Sequence, residues 1–367
     1  MMYLSNLLND LQTFQNRIVS LRLVSGDTIE GLLSQINLIT RTLVINNING
    51  TTEVAADEIV SFTVIPFAYV TNGSADTISV IDTSINAVIG SPIPVGDAPR
   101  GIAITPNGLR AYVTNQGVTP VSVINTSTNT VIGSPISVGV GSFGVAITPN
   151  GAAAYVTNFN ADTVSMISTF TNTVIGSPIP VGDGPRGIAI TPNGTRAYVV
   201  NQFDNTISVI NMFTNTVIGS PIFVGSDPRG IAITPDGTRA YVTNGSADTV
   251  SVINTSTNTV IGSPISVGFA PTGIAITPDG TRAYVTNFNA FSVSVINTST
   301  NTVIGSPITV GSGPFGIAIT PDGTRAYVTN FLADTVSVID TSTNTVIGSS
   351  ITVGGFPNAI AITPIKF

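Results

Sequence analysis

The chain is 367 residues long, 42% apolar and only 8% charged, with a net charge of −7 and with 36 glycines and 23 prolines. It contains no Cys, His or Trp, which excludes Ser-His and Cys-His nucleophile pairs, the usual zinc sites, thiol redox chemistry and disulfides. Lys366 is its one lysine and its arginines are scattered, so no basic cluster exists for a phosphate backbone; Ser, Thr, Asn and Gly break every apolar run short of a membrane span.

In chain order, Leu4, Leu7, Leu8, Leu11 and Phe14 fall on one helical face and predict an N-terminal helix. Met1 to Asn16 carry no Lys or Arg and do not read as a signal peptide. Five short strands are expected next, over 18–24, 28–34, 41–45, 51–54 and 58–64, with Ser25-Gly26-Asp27 as the first turn. A helix followed by five strands, with Gly26 and Gly31 at a strand bend, is similar to the Sm-like small barrel, related forms of which occur in spore-coat-associated proteins. That resemblance implies edge-strand pairing into rings, so residues 1–66 are expected to make a homo-oligomer. RNA binding, another use of that barrel, is disfavoured: Arg17, Arg22 and Arg41 face six acidic residues here.

From residue 67 onward the chain repeats. The motif Tyr-Val-Thr-Asn begins at Tyr69, Tyr112, Tyr155, Tyr198 (where the third residue is Val200), Tyr241, Tyr284 and Tyr327, seven copies at a step of 43 residues. One unit reads as four strands: Gly230 to Thr234, a hairpin turn at Asp236-Gly237, Arg239 to Thr243, Val250 to Asn254, and Thr259 to Val267. Four antiparallel strands per 43 residues make one propeller blade. The expected fold is all-β, a seven-bladed propeller over 67–367 preceded by the helix and small barrel of 1–66. The phase of the repeat leaves the first blade without its inner strand, and Ala359 to Thr363 is expected to supply it. The small Gly-Ile-Ala-Ile-Thr strand belongs at the crowded axis and Val-Ile-Gly-Ser-Pro-Ile at the rim, where Pro92 and its equivalents blunt the edge and Ser350 breaks the series.

These units resemble the YVTN-type β-propeller repeat, whose members are often cell-surface or surface-layer proteins. The resemblance implies a non-catalytic structural or adhesive surface protein. With no export signal read, a spore coat laid down from the mother cell reconciles the two, placing the protein on the outer surface of a cell or spore.

The residue before each inner-strand glycine varies most: Arg100, Phe143, Arg186, Arg229, Thr272, Phe315 and Asn358. These should ring one mouth of the channel, where guanidinium groups suit a carboxylate, sulfate or phosphate and phenylalanines suit a sugar face. The competing reading is that Arg100 and Arg186 merely pair with Asp97 and Asp183. Asp76, Asp162, Asp248 and Asp334, aligned with Thr119, Asn205 and Phe291, are expected to bond their own turns, and the Arg110, Arg196, Arg239, Arg282 and Arg325 column to pair with the Asp of its own hairpin.

Three functions compete. A surface protein needs no catalytic residues; a recognition module would take a glycan or a protein at the channel mouth; a propeller lactonase or hydrolase would need a channel metal held by Glu, Asp and Asn. Residues 67–367 contain no Glu, and their 13 Asp sit mainly in turns, so no enzyme, no cofactor and no metal site is expected.

Overall fold

The computed structural model describes residues 18–25, 27–37, 42–47, 50–117 and 120–364. The helix expected over Leu4 to Phe14 lies outside the described residues, as do Arg17, Gly26, Arg41, Thr119 and Lys366. Two compact units emerge, one built on the first five strands, the other on Ala68–Ile81 and Asn86–Pro364. The one helical turn among the described residues is a 3-10 turn at Ala56–Glu58, and no helix there is long and apolar enough to cross a membrane.

The first unit is a single antiparallel sheet of β1 (Ile18–Leu23), β2 (Thr28–Asn37), β3 (Thr42–Asn47), β4 (Gly50–Ala55) and β5 (Ile59–Val64), in the order β4-β3-β2-β1-β5. Alternation puts Val19, Leu21, Leu33, Leu43, Ile45 and Val54 on the buried face. Gly31 is required by close approach, since a Cβ there would stand 2.5 Å from the carbonyl oxygen of Asn46. The unit is a sheet with β4 and β5 as its two edges, and no pairing joins them among the described residues.

The second unit consists of seven antiparallel sheets, each one repeat of the 43-residue period. Innermost run Pro99–Ile104, Ser142–Ile147, Pro185–Ile190, Pro228–Ile233, Pro271–Ile276, Pro314–Ile319 and Pro357–Ile362. Each packs beside the next, and the last packs beside the first, so the inner strands form a continuous ring. Pro357–Ile362 pairs antiparallel with Phe67–Asn72, with Ile360 opposite Val70 and Ala361 opposite Tyr69. The outer strands bend at a left-handed glycine, such as Gly176 at φ 71. Pro92, Pro135 and Pro178 lie exposed on that rim.

Side chains of the repeat tie each blade to the next. All seven motif tyrosines donate their hydroxyl to the Oδ1 of an asparagine in the following blade's outer turn, at 2.5 to 2.6 Å: Tyr69 to Asn129, Tyr241 to Asn301 and, across the seam, Tyr327 to Asn86. The arginine column differs from expectation. Arg239 donates to the carbonyl of Thr298 at 2.5 Å and Arg282 to that of Thr341 at 2.5 Å, both one blade on. Each guanidinium reaches further than its own hairpin, and a desolvated carbonyl there is a better partner than an exposed carboxylate. The aspartates after the motif also reach outward: Asp76 accepts from the backbone N–H of Ala98 at 2.8 Å and Asp248 from that of Ala270 at 2.8 Å. They brace the next crossing loop rather than their own turns.

Candidate active site

The motif threonine sets the mouth of the channel. Thr114 accepts from the N–H of Gly101 at 2.8 Å and donates to the carbonyl of Phe143 in the next blade at 2.5 Å. Thr157 holds the carbonyl of Arg186 at 2.8 Å and Thr286 that of Phe315 at 2.8 Å. A Cβ on Gly144 would lie 2.2 Å from the Arg186 carbonyl oxygen, so glycine lets neighbouring inner strands touch. Where the motif threonine is present, the residue before the next blade's inner-strand glycine is held by its backbone carbonyl; Val200 leaves Arg229 without that hold.

Six of the seven predicted mouth residues join one chain of contacts. Arg100 donates from Nη1 to Asn358 Oδ1 at 3.0 Å and from Nε to Gln116 at 2.7 Å. Its Cζ lies 5.9 Å from the Phe143 ring centroid, and that of Arg186 lies 4.7 Å from it. Arg186 donates to Gln202 Oε1 at 3.3 Å. Gln202 Nε2 in turn donates to Asp227 Oδ1, and Asp227 Oδ2 accepts from Arg229 at 2.6 and 3.0 Å. Arg229 Nη1 stands 3.5 Å from Thr272 Oγ1. Phe315 stands apart, against Phe288 and Phe331 at 6.3 and 5.9 Å between ring centroids. Thr272 and Asn358 are buried and serve their neighbours: Thr272 donates to the Ala270 carbonyl and Asn358 to that of Pro99.

The pairing of Arg100 with Asp97 and of Arg186 with Asp183 does not form among the described residues; the ion pair at the mouth is Arg229 with Asp227, at 2.6 Å. Of the three part-buried guanidinium groups, Arg229 alone pairs with a carboxylate; Arg186 reaches Asp227 only through Gln202, and Arg100 bonds Gln116 and Asn358 instead. Burial lowers the Arg100 pKa. Burial, with the nearby charges of Arg229 and Arg100 and against the opposing pull of Asp227, pushes Arg186 down to about 9. A site with this excess of positive charge favours an anion. Gln116, Gln202 and Asp227 are the members that spacing did not disclose. The first two occupy the position after the motif asparagine, where the blades carry Gly73, Gln116, Phe159, Gln202, Gly245, Phe288 and Phe331.

No group of three or more His, Cys, Asp or Glu that would hold a metal ion occurs among the described residues. The donors a channel metal requires do not fit a mouth lined by arginines, and the chemistry below does not pass through a metal.

Residues 143–303 match the family model described as Lactonase, 7-bladed beta-propeller. No curated protein matches the chain. Among solved structures the chain is similar to hydrazine synthase of Kuenenia stuttgartiensis (22% identity, 75% of this chain and 92% of that one, TM-score 0.68). It is similar also to a functionally unknown protein from Desulfotomaculum acetoxidans DSM 771 (21% identity, 82% and 99%, TM-score 0.72). A third is a putative 6-phosphogluconolactonase from Bacteroides uniformis ATCC 8492 (15% identity, 81% and 99%, TM-score 0.68). The likeness to these structures establishes the β-propeller fold. The lactonase match overturns two expectations together, the non-catalytic structural or adhesive surface protein and the absence of an enzyme. They rested on the absence of His and Cys and on the lack of Glu and clustered Asp for a channel metal, criteria that do not register arginine side chains.

Proposed function

We propose that the propeller is a lactonase-type hydrolase acting on a small anionic substrate at the channel mouth. The carrying observation is that Arg100 and Arg186 flank Phe143 with no carboxylate in ion-pair distance among the described residues, while Arg229 beside them is held by Asp227. The lactonase match supports it by spanning Phe143, Arg186, Arg229 and Thr272. Arg100 and Arg186 bind the anionic group, each with guanidinium donors left over from its protein partners. Asp227 orients Arg229 and is the carboxylate placed to take a proton from an attacking water. The water oxygen bonds to the acyl carbon as its proton passes to Asp227, the ring C–O bond breaks, and Asp227 returns that proton to the departing oxygen, which leaves as a hydroxyl.

The test is hydrolysis of 6-phosphogluconolactone, followed against its spontaneous rate. Arg186→Ala should lower kcat/KM by about tenfold or more, the loss of one charge-assisted contact. Turnover no faster than the blank, together with no binding of inorganic phosphate, would refute the proposal.

The finer identity of the two units belongs to the same reading. The repeat is of the YVTN type, and the sheet order β4-β3-β2-β1-β5 with a 3-10 turn before its last strand supports an Sm-like first unit that pairs copies through its edges. Light scattering of the full chain should give a multiple of the monomer mass, and residues 67–367 alone a single copy.

A further inference from the structure

We infer that the mouth takes a soluble amphiphilic anion, its charged end on the arginines and an alkyl or aryl group on a phenylalanine wall formed by Phe288, Phe315, Phe331 and Phe356. The inference rests on the hydrolase reading for its anionic end and goes beyond it in the second subsite.

Of the wall's four rings, Phe356 is the one at a position where no other blade carries phenylalanine. Phe331 stacks on Phe356 with centroids 4.8 Å apart and planes at 11°, and meets Phe288 at 6.1 Å and Phe315 at 5.9 Å. Phe356 occupies a left-handed position, φ 53, that other blades fill with Ala98, Gly141, Gly184, Asp227, Ala270 and Gly313. A bulky residue there carries backbone strain, and such strain persists where it is useful. The residue is nonetheless 47% exposed, so core packing does not account for it.

The wall's inner-strand member lies across the ring of inner strands from Arg186. Counting round the inner strands, Phe315 is three strands on from Arg186 and two from Arg229. Arg100 and Arg186 have no carboxylate within ion-pair distance among the described residues. Phe143, between them, is their shared neutral neighbour. One side of the mouth therefore lacks an anion and the other lacks an apolar cover. A single molecule with a charged head and an apolar body satisfies both.

The experiment is calorimetric titration of the full chain with inorganic phosphate and with octyl phosphate. Octyl phosphate should bind at least about tenfold tighter, from apolar surface removed from water. Phe331→Gln and Phe356→Gly should remove that advantage and leave phosphate binding unchanged. Both variants install residues that other blades already carry at those positions, Gln116 and Gln202 or Gly141 and Gly184, and glycine relieves the strain at 356, so both should fold; equal melting temperatures check this. Arg186→Ala should weaken both ligands together. Equal affinity for the two ligands, or an octyl advantage that survives both phenylalanine variants, overturns the wall and leaves the anion site standing. Failure of both ligands to bind overturns the anion site and the wall with it.

Discussion

A chain ending at Phe356 lacks the strand that pairs with Phe67–Asn72. Five side-chain-mediated hydrogen bonds go with it: Ala359 N–H to Thr71, Thr71 to the Ala359 carbonyl, Asn358 to the Pro99 carbonyl, Arg100 to Asn358, and Thr329 to the Asn358 carbonyl. At about 1 kcal/mol each these contribute roughly 5 kcal/mol. Ile360, packed on Val70, Ile81, Tyr327 and Val336, contributes about 2 to 3 kcal/mol more by burial. The sum, about 7 to 8 kcal/mol before the backbone ladder is counted, is comparable to the whole stability of a domain. The truncated chain should therefore lose its cooperative thermal transition by near-UV circular dichroism and become sensitive to protease at 25 °C. A synthetic peptide of residues 355–364 should restore both. Ile360→Ala, a milder perturbation, should cost about 2 to 4 kcal/mol in denaturant titration. A truncated chain that melts at the full-length temperature would refute the reasoning.

Val200 replaces the motif threonine in the fourth blade, so Gly187 N–H and the Arg229 carbonyl lack the hydroxyl that links their equivalents; Val200→Thr should add about 1 kcal/mol, and a clear loss in denaturant titration would count against the linking role. Tyr241→Phe removes its hydroxyl from Asn301 and should cost about 1 to 1.5 kcal/mol, with a second Tyr→Phe change two blades away adding independently in the same titration. Hydrogen bonds from Thr234 and Thr277, then from the N–H groups of Thr238 and Thr281, lower the pKa of Asp236 and Asp279. A carboxylate lowered in the folded state adds stability above its unfolded pKa and loses it as pH falls through the folded one. Asp236→Asn with Asp279→Asn, the residue type already at Asn107 and Asn150, should therefore melt lower than the parent at pH 7, lose less stability as pH falls below 4, and approach the parent in acid, read by thermal scans.

The all-β repeat was legible because its signals are local: period-two alternation, Asp-Gly turns and a 43-residue step act within one blade. The pairing of Ala361 with Tyr69 followed from the phase of those signals. Contacts between blades were not legible in the same way. The partner of Tyr241 lies 60 residues on, and the carbonyl that Arg239 bonds lies 59 residues on; spacing within a unit cannot reveal which turn a long side chain overhangs. The mouth shows both sides of this. Arg100, Phe143 and Arg186 were found as one variable column and do meet, but Gln202 and Asp227 come from different columns that converge only in space. A propeller lactonase was weighed from the sequence and set aside for want of metal donors. The lactonase likeness extends over residues 143–303, a comparison of a long segment that residue chemistry taken position by position does not make.

The tyrosine-to-asparagine bonds all run in one direction round the ring, and the bond from Tyr327 to Asn86 is indistinguishable in kind from the other six. None of them depends on where synthesis starts. A circular permutant of the propeller, with new termini cut into any exposed loop between blades and the old ends joined, would keep every one of these clasps, which makes the toroid a scaffold whose entry point is free to be moved.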